Sequence, residues 1–311
     1  MNKITILLAV YNGEKYLQEQ LDSIVNQTYT NWKLYIRDDG SIDSSIEIIN
    51  NFASRYPSKI QLINDNLNNL GSCNNFFQLL KYSETSEFYM FADQDDVWNY
   101  NKIEISLNAI LKIEISEKFK KPILLHTDLE VVDTNLNQIS PSFWKYQQMD
   151  VKNANNYNKI LVQNIVTGCT IIFNHKLKEK MRFLPDNVFV HDWWIALVAS
   201  VFGRIDSIED KTLKYRQHLS NVEGAKQSGN LHFINRLFKL NEVRNALENS
   251  VFQAKVFLEM YKDKMNNEQI ESFEIFSNLF SYNWVKRRYI LIKYGIIKSK
   301  FIRNIGLFLA A

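Results

Sequence analysis

Short apolar runs alternate with amphipathic helical segments over the first hundred residues of the chain. Ile4–Val10 is rich in β-branched residues, and residues 13–27 then carry apolar side chains every three or four positions. The alternation continues with strands predicted over Trp32–Arg37, Lys59–Ile63 and Glu87–Ala92 and with a helix predicted over Gly71–Tyr82. This order is typical of βαβ units, so the sequence predicts an α/β fold with a mostly parallel sheet covered by helices.

Three polar clusters directly follow predicted strands. Tyr11-Asn12 follows the first strand, Asp38-Asp39 the second and Asp93–Asp96 the fourth. Ligands of such sheets bind beyond the carboxyl ends of the strands, so the clusters predict one shared pocket. The alternative is that they are turn residues only, because Asn and Asp favour turns.

The pattern of the chain changes in its last third. Before the change, strands are predicted over Ile123–His126, Thr170–Phe173 and Arg204–Arg216, and a helix is predicted over His191–Val201. From about Leu231 onward, strand signals fade and long helical patterns take over. A polar, glycine-containing break at 225–230 separates the two parts. We therefore expect one domain over residues 1–225 and a helical region over residues 226–311.

Charge is unevenly distributed along the 311 residues. The net charge is +3, but residues 275–311 contain seven Lys and Arg and no Asp or Glu, so the remaining residues sum to −4. A mildly acidic body disfavours nucleic acid as a partner. The basic tail also contains several aromatic residues. We expect it either to contact an anionic lipid surface or to pack on protein.

Several protein classes are excluded by what the sequence lacks. Two cysteines give neither a disulfide framework nor a four-cysteine zinc site. There is no G-x-G-x-x-G motif and no Walker sequence, which argues against dehydrogenases and P-loop enzymes. The N-terminal apolar run is too short for a signal peptide, and no uncharged apolar stretch reaches about 18 residues. A cytoplasmic protein is expected.

Asp93-Gln94-Asp95-Asp96 is the densest acidic segment of the chain. Three carboxylates within four residues repel one another unless a cation or another partner offsets their charge. Carboxylate oxygens suit Mg²⁺ and Mn²⁺, which complete their coordination shells with water and substrate phosphates. A nucleotide bound without a glycine-rich loop would need such a metal. The alternative is an acidic turn that caps the following helix.

Several segments match the motifs of one enzyme family. They are Thr5–Gly13, Leu21–Ile24, Asn26–Tyr29, Asp38–Ser41 and, as the counterpart of a D-x-D motif, Asp93–Trp98. Together they resemble the family 2 glycosyltransferases of the GT-A fold. His191–Trp194 and Tyr215–His218, followed by Asn221 and Gly224, are similar to a bacterial rhamnosyltransferase-like branch. The resemblance covers about residues 3–225.

The resemblance implies roles for individual residues. Nucleotide-sugar binding is implied for Ala9, Tyr11, Asp39, Asp93, Gln94 and Arg216, with Asp39 accepting a hydrogen bond from N3–H of uracil or thymine. Asp95 and His218 would hold the metal, and Asp192 would be the general base. Sugar contacts are implied for Asp128, Trp193 and Trp194, with one tryptophan facing the acceptor and the other the core. The plain alternatives are a helix-start acid for Asp192 and an ion-pair partner for Arg216.

The implied function is inverting sugar transfer that depends on Mn²⁺ or Mg²⁺. The expected donor is dTDP-L-rhamnose or a UDP-sugar. The expected acceptor is a hydroxyl of a growing bacterial surface polysaccharide, linked to a lipid. A UDP-hexose transferase and a non-catalytic sugar-nucleotide-binding scaffold remain as alternatives. Peripheral contact of residues 284–311 with the inner face of the cytoplasmic membrane is left open, as is a homodimer.

Overall fold

The computed structural model describes residues 1–151, 154–181, 190–218 and 240–311. Its strands are β1 (Ile4–Val10), β2 (Trp32–Asp38), β3 (Ile60–Leu62), β4 (Phe88–Ala92), β5 (Val97–Trp98), β6 (Ile123–Val132), β7 (Gln138–Ser140), β8 (Ile171–Asn174) and β9 (Arg204–Arg216). Its α-helices are α1 (Glu14–Val25), α2 (Ser45–Arg55), α3 (Gly71–Tyr82), α4 (Lys102–Ser116), α5 (Phe143–Tyr146), α6 (Tyr157–Ile160), α7 (His175–Lys180), α8 (His191–Phe202), α9 (Leu240–Tyr261), α10 (Asn267–Ser277), α11 (Trp284–Lys293) and α12 (Phe301–Ala310). Short 3₁₀ turns cover Gly168–Thr170, Lys262–Lys264 and Leu279–Ser281.

The strands form one mixed sheet in the order β3-β2-β1-β4-β8-β6-β9-β5, with β7 paired to β6. Strands β3, β2, β1 and β4 are parallel, as expected of βαβ units. Strand β8 then runs antiparallel to both β4 and β6. The predicted α/β class is confirmed. Parallel pairing is not limited to the N-terminal half, because β6 and β9 also run parallel, whereas β5 and β7 add short antiparallel pairings. The antiparallel β8 reverses the sheet direction beside β4, where the acidic segment begins.

Strand β6 is longer than its apolar beginning indicates. The sequence predicts a strand over Ile123–His126, whereas the strand continues to Val132 alongside β9. Its register with β9 shifts around Asp128, where polar side chains interrupt the apolar pattern. Thr127 is fully buried and its hydroxyl lies 2.6 Å from that of Thr212 on β9. Hydrogen bonding between strands therefore sustains β6 where the apolar pattern fails.

Helices cover both faces of the sheet, which divides the core into two layers. Along β1, Ile4, Ile6 and Leu8 belong to one apolar cluster, and Leu7 belongs to the other. All four side chains are fully buried. This alternation follows the two-residue period of a strand. Because helices cover both faces of the sheet, both sets of β1 side chains are apolar and the strand is a near-continuous apolar run.

The C-terminal helices share one of these two layers with the sheet. Phe257 of α9 contacts Trp194 of α8 with ring centroids 5.5 Å apart, and it stacks on Phe273 of α10 at 4.9 Å. Strand structure is absent from the described residues 240–311, as predicted. The predicted boundary at 225–230 lies outside the described residues. Among the residues that the structure describes, no helix is both long and apolar enough to cross a membrane.

Candidate active site

A cavity of about 1380 Å³ opens at the carboxyl ends of β1, β2 and β4. All three predicted polar clusters contribute to it, through Tyr11, Asn12, Asp39, Asp93, Gln94 and Asp95. Ala9, His191, Asp192 and His218 also line its wall. The sequence-based prediction of one shared pocket agrees with this placement. Turn formation alone does not explain why residues 80 positions apart face one space.

Gln94 holds the loop that follows β1. Its amide accepts a hydrogen bond from the Tyr11 backbone N–H at 2.8 Å and donates one to the Tyr11 carbonyl at 3.0 Å. The Tyr11 side chain stays half-exposed at the cavity. A Cβ on the adjacent Gly13 would lie 2.6 Å from Gln94 Oε1, so a larger residue would displace this amide. Gln94 thus connects the segment after β4 to the loop after β1, at the edge of the cavity.

Asp39 directly follows β2, and its buried carboxylate reaches the start of α3. It accepts hydrogen bonds from the backbone N–H groups of Leu70 and Gly71, at 3.0 and 2.8 Å. Arg37 donates to it from Nη1 at 3.0 Å and also pairs with Asp65. Although burial opposes the effect, the bonds from Arg37 lower the pKa of Asp65. Arg37 was missed by the sequence reasoning because nothing local marks a strand arginine as buried. Its bonds hold the Asp39 carboxylate at the cavity wall.

Asp95 and His218 meet at the cavity although they are distant in sequence. His218 Nε2 lies 2.7 Å from Asp95 Oδ2. The His218 ring also packs against Tyr16 of α1, with ring centroids 5.1 Å apart. The resemblance pairs these two residues as metal ligands, and the structure places them in contact. An oxygen and an imidazole nitrogen at this separation are suitable ligands for Mn²⁺.

Of the other two carboxylates of the acidic segment, Asp93 also lines the cavity and Asp96 is fully buried. Ligand atoms of Asp93, Asp96 and Cys169 all lie within 4.8 Å of one another. Burial, together with the charges of Asp95 and Asp192, raises the pKa of Asp93 to about 7. Burial and its acidic neighbours raise the pKa of Asp96 well above its usual range. This excess of negative charge favours a cation at the cavity end of the segment.

A buried lysine lies behind the acidic segment and was not anticipated. Lys102 is fully buried at the start of α4, and its ammonium donates to the Thr212 hydroxyl at 3.2 Å. Burial lowers the pKa of Lys102 to about 8, while the Asp96 charge acts in the opposite direction. Burial and the charges of Asp96 and Asp93 raise the pKa of the nearby Cys169 thiol. That shift argues against a nucleophilic role for Cys169.

Asp192 occupies the first turn of α8 and faces the cavity. Its carboxylate accepts a hydrogen bond from Asn164 Nδ2 at 2.9 Å and another from the Gly168 backbone N–H at 3.1 Å. A Cβ at Gly168 would lie 2.7 Å from His191 Nε2, so the backbone approaches α8 at a point where no side chain fits. These contacts fix the orientation of the Asp192 carboxylate. An acidic residue that only begins a helix would not need such contacts.

Arg216 is placed differently from the expected diphosphate contact. Its guanidinium is fully buried and is not among the described groups that line the cavity. It donates to the carbonyls of Asp95 and Thr134 at 2.9 and 2.7 Å, pairs with Glu19 and stacks over Tyr16. The planar guanidinium carries five N–H donors, so it can bind several backbone and carboxylate oxygens at once. Arg216 therefore supports the acidic segment from behind.

Asp128 and the two tryptophans also depart from the expected sugar contacts. Asp128 is buried on β6, where it accepts from the Ser142 hydroxyl at 2.5 Å and from the Phe143 and Trp144 N–H groups at the start of α5. Trp194 is fully buried in the core. Trp193 donates from its indole nitrogen to the Ile160 carbonyl at 2.6 Å. None of these three side chains lies among the described residues lining the cavity.

The C-terminal region supplies a wall of the cavity that sequence reasoning did not anticipate. Lys298, Ile302, Arg303 and Gly306 line it, together with residues of α9. Lys298 and Arg303 belong to the basic tail, which the charge pattern identified without indicating which way it faces. The part of the tail at 298–306 therefore belongs to the site.

The chain is similar in sequence to known glycosyltransferases. The family model described as glycosyl transferase family 2 matches residues 5–115. A dTDP-rhamnosyl transferase, RfbG of Shigella flexneri, is 28% identical over 76% of this chain and 79% of its own. A UDP-Glc:alpha-D-GlcNAc-diphosphoundecaprenol beta-1,3-glucosyltransferase, WfgD of Escherichia coli, is 28% identical over 72% of this chain and 80% of its own.

A solved structure supports the fold. The mannosyltransferase PcManGT of Pyrobaculum calidifontis, solved with GDP-Man and Mn²⁺, aligns with a TM-score of 0.52 and 14% identity. The alignment covers 95% of this chain and 86% of that one. The strand order, with ligand-facing clusters beyond β1, β2 and β4, agrees with the GT-A fold. Residues 5–115 thus match glycosyl transferase family 2, and the chain resembles glycosyltransferases in sequence over about three quarters of its length and in fold over nearly all of it.

Proposed function

We propose that the protein transfers a sugar from a nucleotide-diphosphate donor to a hydroxyl of a bacterial surface-polysaccharide acceptor, with inversion at the anomeric carbon. The placement of Asp192 carries this proposal. Its carboxylate faces the same cavity as Asp93, Asp95 and His218, and two hydrogen bonds hold it in place. A base and an acidic, imidazole-bearing wall around one space are what a single displacement at a sugar–diphosphate bond requires.

The reaction follows from this placement in one step. The acceptor oxygen attacks the anomeric carbon while the bond to the diphosphate oxygen breaks, and the bonding electron pair leaves with the diphosphate. Asp192 takes the hydroxyl proton, which typically contributes roughly 10²–10⁴-fold to the rate. Because the attacking oxygen enters opposite the leaving group, the configuration inverts. Gly168 and Asn164 keep the carboxylate aimed at the cavity throughout.

Metal dependence is part of the proposal. Asp95 and His218, with Asp93, would hold Mn²⁺ or Mg²⁺, because hard oxygen donors and one imidazole suit these ions and the Cys169 thiol does not. When bound, such an ion supplies charge stabilisation for the leaving diphosphate. Arg216 and Gln94 keep the backbone of the acidic segment in position for it.

The donor is proposed to carry thymine or uracil. Asp39 and Tyr11 line the cavity end that would hold the base, and RfbG supports dTDP-L-rhamnose as the first choice. A UDP-hexose is the second choice, which the name of WfgD supports. A thermal-shift series with dTDP-, UDP- and GDP-sugars, each with and without Mn²⁺, separates them, because a ligand of the native state raises the apparent melting temperature. Stabilisation by GDP-sugars alone would contradict the assignment.

The Asp192→Asn variant tests the catalytic role. Transfer should fall by roughly 10²–10⁴-fold while donor binding is retained, because the amide cannot take the proton. Asp210→Asn is a matched control, since Asp210 is exposed on β9 and does not line the described cavity. If Asp192→Asn kept full transfer activity, another residue would have to be the base. If wild type bound donor without transfer to any acceptor, the scaffold alternative would gain support.

The acceptor is proposed to be lipid-linked and reached from a membrane surface. Helices α11 and α12 expose large apolar side chains: Trp284, Val285, Tyr289, Ile292, Phe301 and Leu309. The same region carries seven basic residues and no acidic one, which favours an anionic surface by about 1 kcal/mol per basic residue near it.

Vesicle sedimentation tests this surface. The protein should bind vesicles of phosphatidylcholine with phosphatidylglycerol and should bind pure phosphatidylcholine weakly. Replacing Trp284, Ile292 and Phe301 by Ser should release it, because apolar insertion and charge act together. Equal binding to both kinds of vesicle would contradict the electrostatic part of the proposal.

A further inference from the structure

Two cations of the basic tail line the same cavity as the candidate base. Lys298 lies in the segment between α11 and α12, and Arg303 lies in the first turn of α12. Both side chains are only partly exposed, unlike Lys293 and Lys300, which are exposed. A lysine and an arginine on one cavity wall provide donors of the kind that bind phosphate groups.

The segment that carries these cations is tightly fastened. Asn304 accepts from the Lys298 backbone N–H at 2.7 Å and donates to the Lys298 carbonyl at 2.9 Å. Arg303 donates to the Gln147 carbonyl. At the far end of α12, Arg244 of α9 donates to the Ala310 carbonyl at 3.1 Å. The orientation of this wall is therefore set by polar contacts at several points.

A short series of contacts connects this wall to Asp192. The backbone N–H and the hydroxyl of Ser299 both donate to Gln163 Oε1, each at 2.8 Å. The next residue, Asn164, donates to Asp192 Oδ1 at 2.9 Å. Gln163 and Asn164 both line the cavity. The wall that carries Lys298 and Arg303 thus adjoins Asp192, the candidate general base. Asp39 and the loop after β1 lie instead at the proposed nucleotide end.

We propose that Lys298 and Arg303 bind a phosphate or diphosphate group of the acceptor. The proposal rests on the proposed function, because the position of Asp192 defines the acceptor side. An acceptor sugar linked through a diphosphate to a lipid would present its hydroxyl to Asp192 and its charge to this wall. Charge-assisted hydrogen bonds to phosphate are among the stronger polar contacts available in proteins. The diphosphate of the donor is the other possible source, and the experiment separates the two.

Binding of farnesyl diphosphate to the full chain tests the proposal. The protein is first saturated with dTDP and Mn²⁺, so that the donor's diphosphate position is filled, and farnesyl diphosphate and farnesol are then titrated by calorimetry. We expect wild type to bind the diphosphate and not the alcohol. The Lys298→Gln/Arg303→Gln variant should bind it about 10- to 100-fold more weakly, because it loses charge-assisted bonds. Its affinity for dTDP should stay unchanged.

Two further variants give the comparison its controls. Lys112→Gln/Lys120→Gln removes the same charge from exposed positions outside both the basic tail and the described cavity lining, and it should change the affinity by about twofold or less. Lys298→Arg/Arg303→Lys keeps the charge and should retain most of the binding, which separates loss of charge from loss of fold. Equal affinity of wild type and the Gln double variant, or no farnesyl diphosphate binding by wild type, would overturn the proposal. So would a loss of dTDP affinity, since the cations would then serve the donor. Failure of wild type to bind dTDP at all would instead count against the proposed function.

Discussion

His218 Nε2 lies 2.7 Å from Asp95 Oδ2, although 123 residues separate the two in the chain. The contact brings the end of β9 to the acidic segment after β4, and Tyr16 supports the imidazole from α1. Neither residue alone distinguishes a metal site from a surface charge. Their proximity at a cavity wall, beside carboxylates that repel one another, supports the proposed metal site.

Replacing either partner should weaken metal-dependent donor binding. Asp95→Ala and His218→Ala should each raise the Mn²⁺ concentration needed for half-maximal donor binding by about 10- to 100-fold, because each removes a ligand. Titration of Mn²⁺ against a fluorescent nucleotide measures this. His175→Ala is the control, since His175 is partly exposed and does not line the described cavity. Unchanged Mn²⁺ dependence in both variants would remove these residues from the ligand set.

Arg216→Lys should reduce both stability and metal affinity. Lysine keeps the charge but cannot reach the Asp95 and Thr134 carbonyls and Glu19 together, so at least one buried acceptor loses its donor. The expected cost is about 1–3 kcal/mol in the free energy of unfolding, measured with urea. Donor KM should rise with the Mn²⁺ requirement. A variant that loses donor affinity at unchanged stability and unchanged Mn²⁺ requirement would favour direct contact with the diphosphate.

The two adjacent tryptophans should respond differently to truncation. Trp194→Ala should lower the free energy of unfolding by about 3–5 kcal/mol, because it empties a buried site against Phe257. Trp193→Ala should cost less, since it removes a partly exposed ring and one hydrogen bond. Urea unfolding of both variants measures the difference. A rise in acceptor KM for Trp193→Ala without a loss of stability would show a sugar contact that this fold does not indicate.

A buried histidine should make the fold sensitive to acid. His126 on β6 is fully buried against Trp144, and burial lowers its pKa to about 3. Above about pH 6.5 the ring is neutral in the folded and unfolded states. As the pH falls from there towards 3, the unfolded chain binds a proton that the folded chain does not. The free energy of unfolding should therefore fall by about 1.4 kcal/mol per pH unit for this group.

The variant His126→Phe should remove this contribution. Its stability should decline less steeply between about pH 6 and 4 than that of wild type, as measured by urea unfolding at several pH values. His175→Phe is the control for the substitution itself, because His175 is partly exposed and lies outside the core around Trp144. His191 is also buried, with its pKa lowered to about 3, so part of the acid sensitivity should remain. Identical slopes for wild type and His126→Phe would show that His126 is charged in the folded state.

The sequence predicts well those elements whose period and ends are set locally. The bounds of β1, α3 and β9 agree with their predicted ranges, because apolar periodicity and flanking turn residues define them. Strand β6 is underestimated because hydrogen bonds to β9 bury Thr127 and Asp128, and those partners lie some 80 residues away. The antiparallel β8 is likewise undetectable, since strand direction in a sheet is a long-range property.

The same division between local and distant causes applies to the site. Residues directly after strands, such as Asp39 and Asp95, were found because parallel strands bring their ends together. Arg216 pairs with Glu19, which agrees with the ion-pair alternative, but the sequence does not identify a partner so far away in the chain. Asp128 binds the start of α5, and the sequence pattern does not indicate the turn that brings α5 back to β6. The direction in which Lys298 and Arg303 point depends on how α12 packs against the rest of the fold. A helical wheel of the tail sequence does not give that packing.

Gln163 and Asn164 are neighbours in the chain, yet one contacts the tail and the other contacts Asp192. On the proposed assignment, a single peptide unit sets the span between the reacting hydroxyl and the acceptor's charged group. Such a site distinguishes acceptors by how many sugars separate these two features. A lipid-linked monosaccharide and a lipid-linked trisaccharide would then compete unequally, so the enzyme would act at a defined step of chain growth.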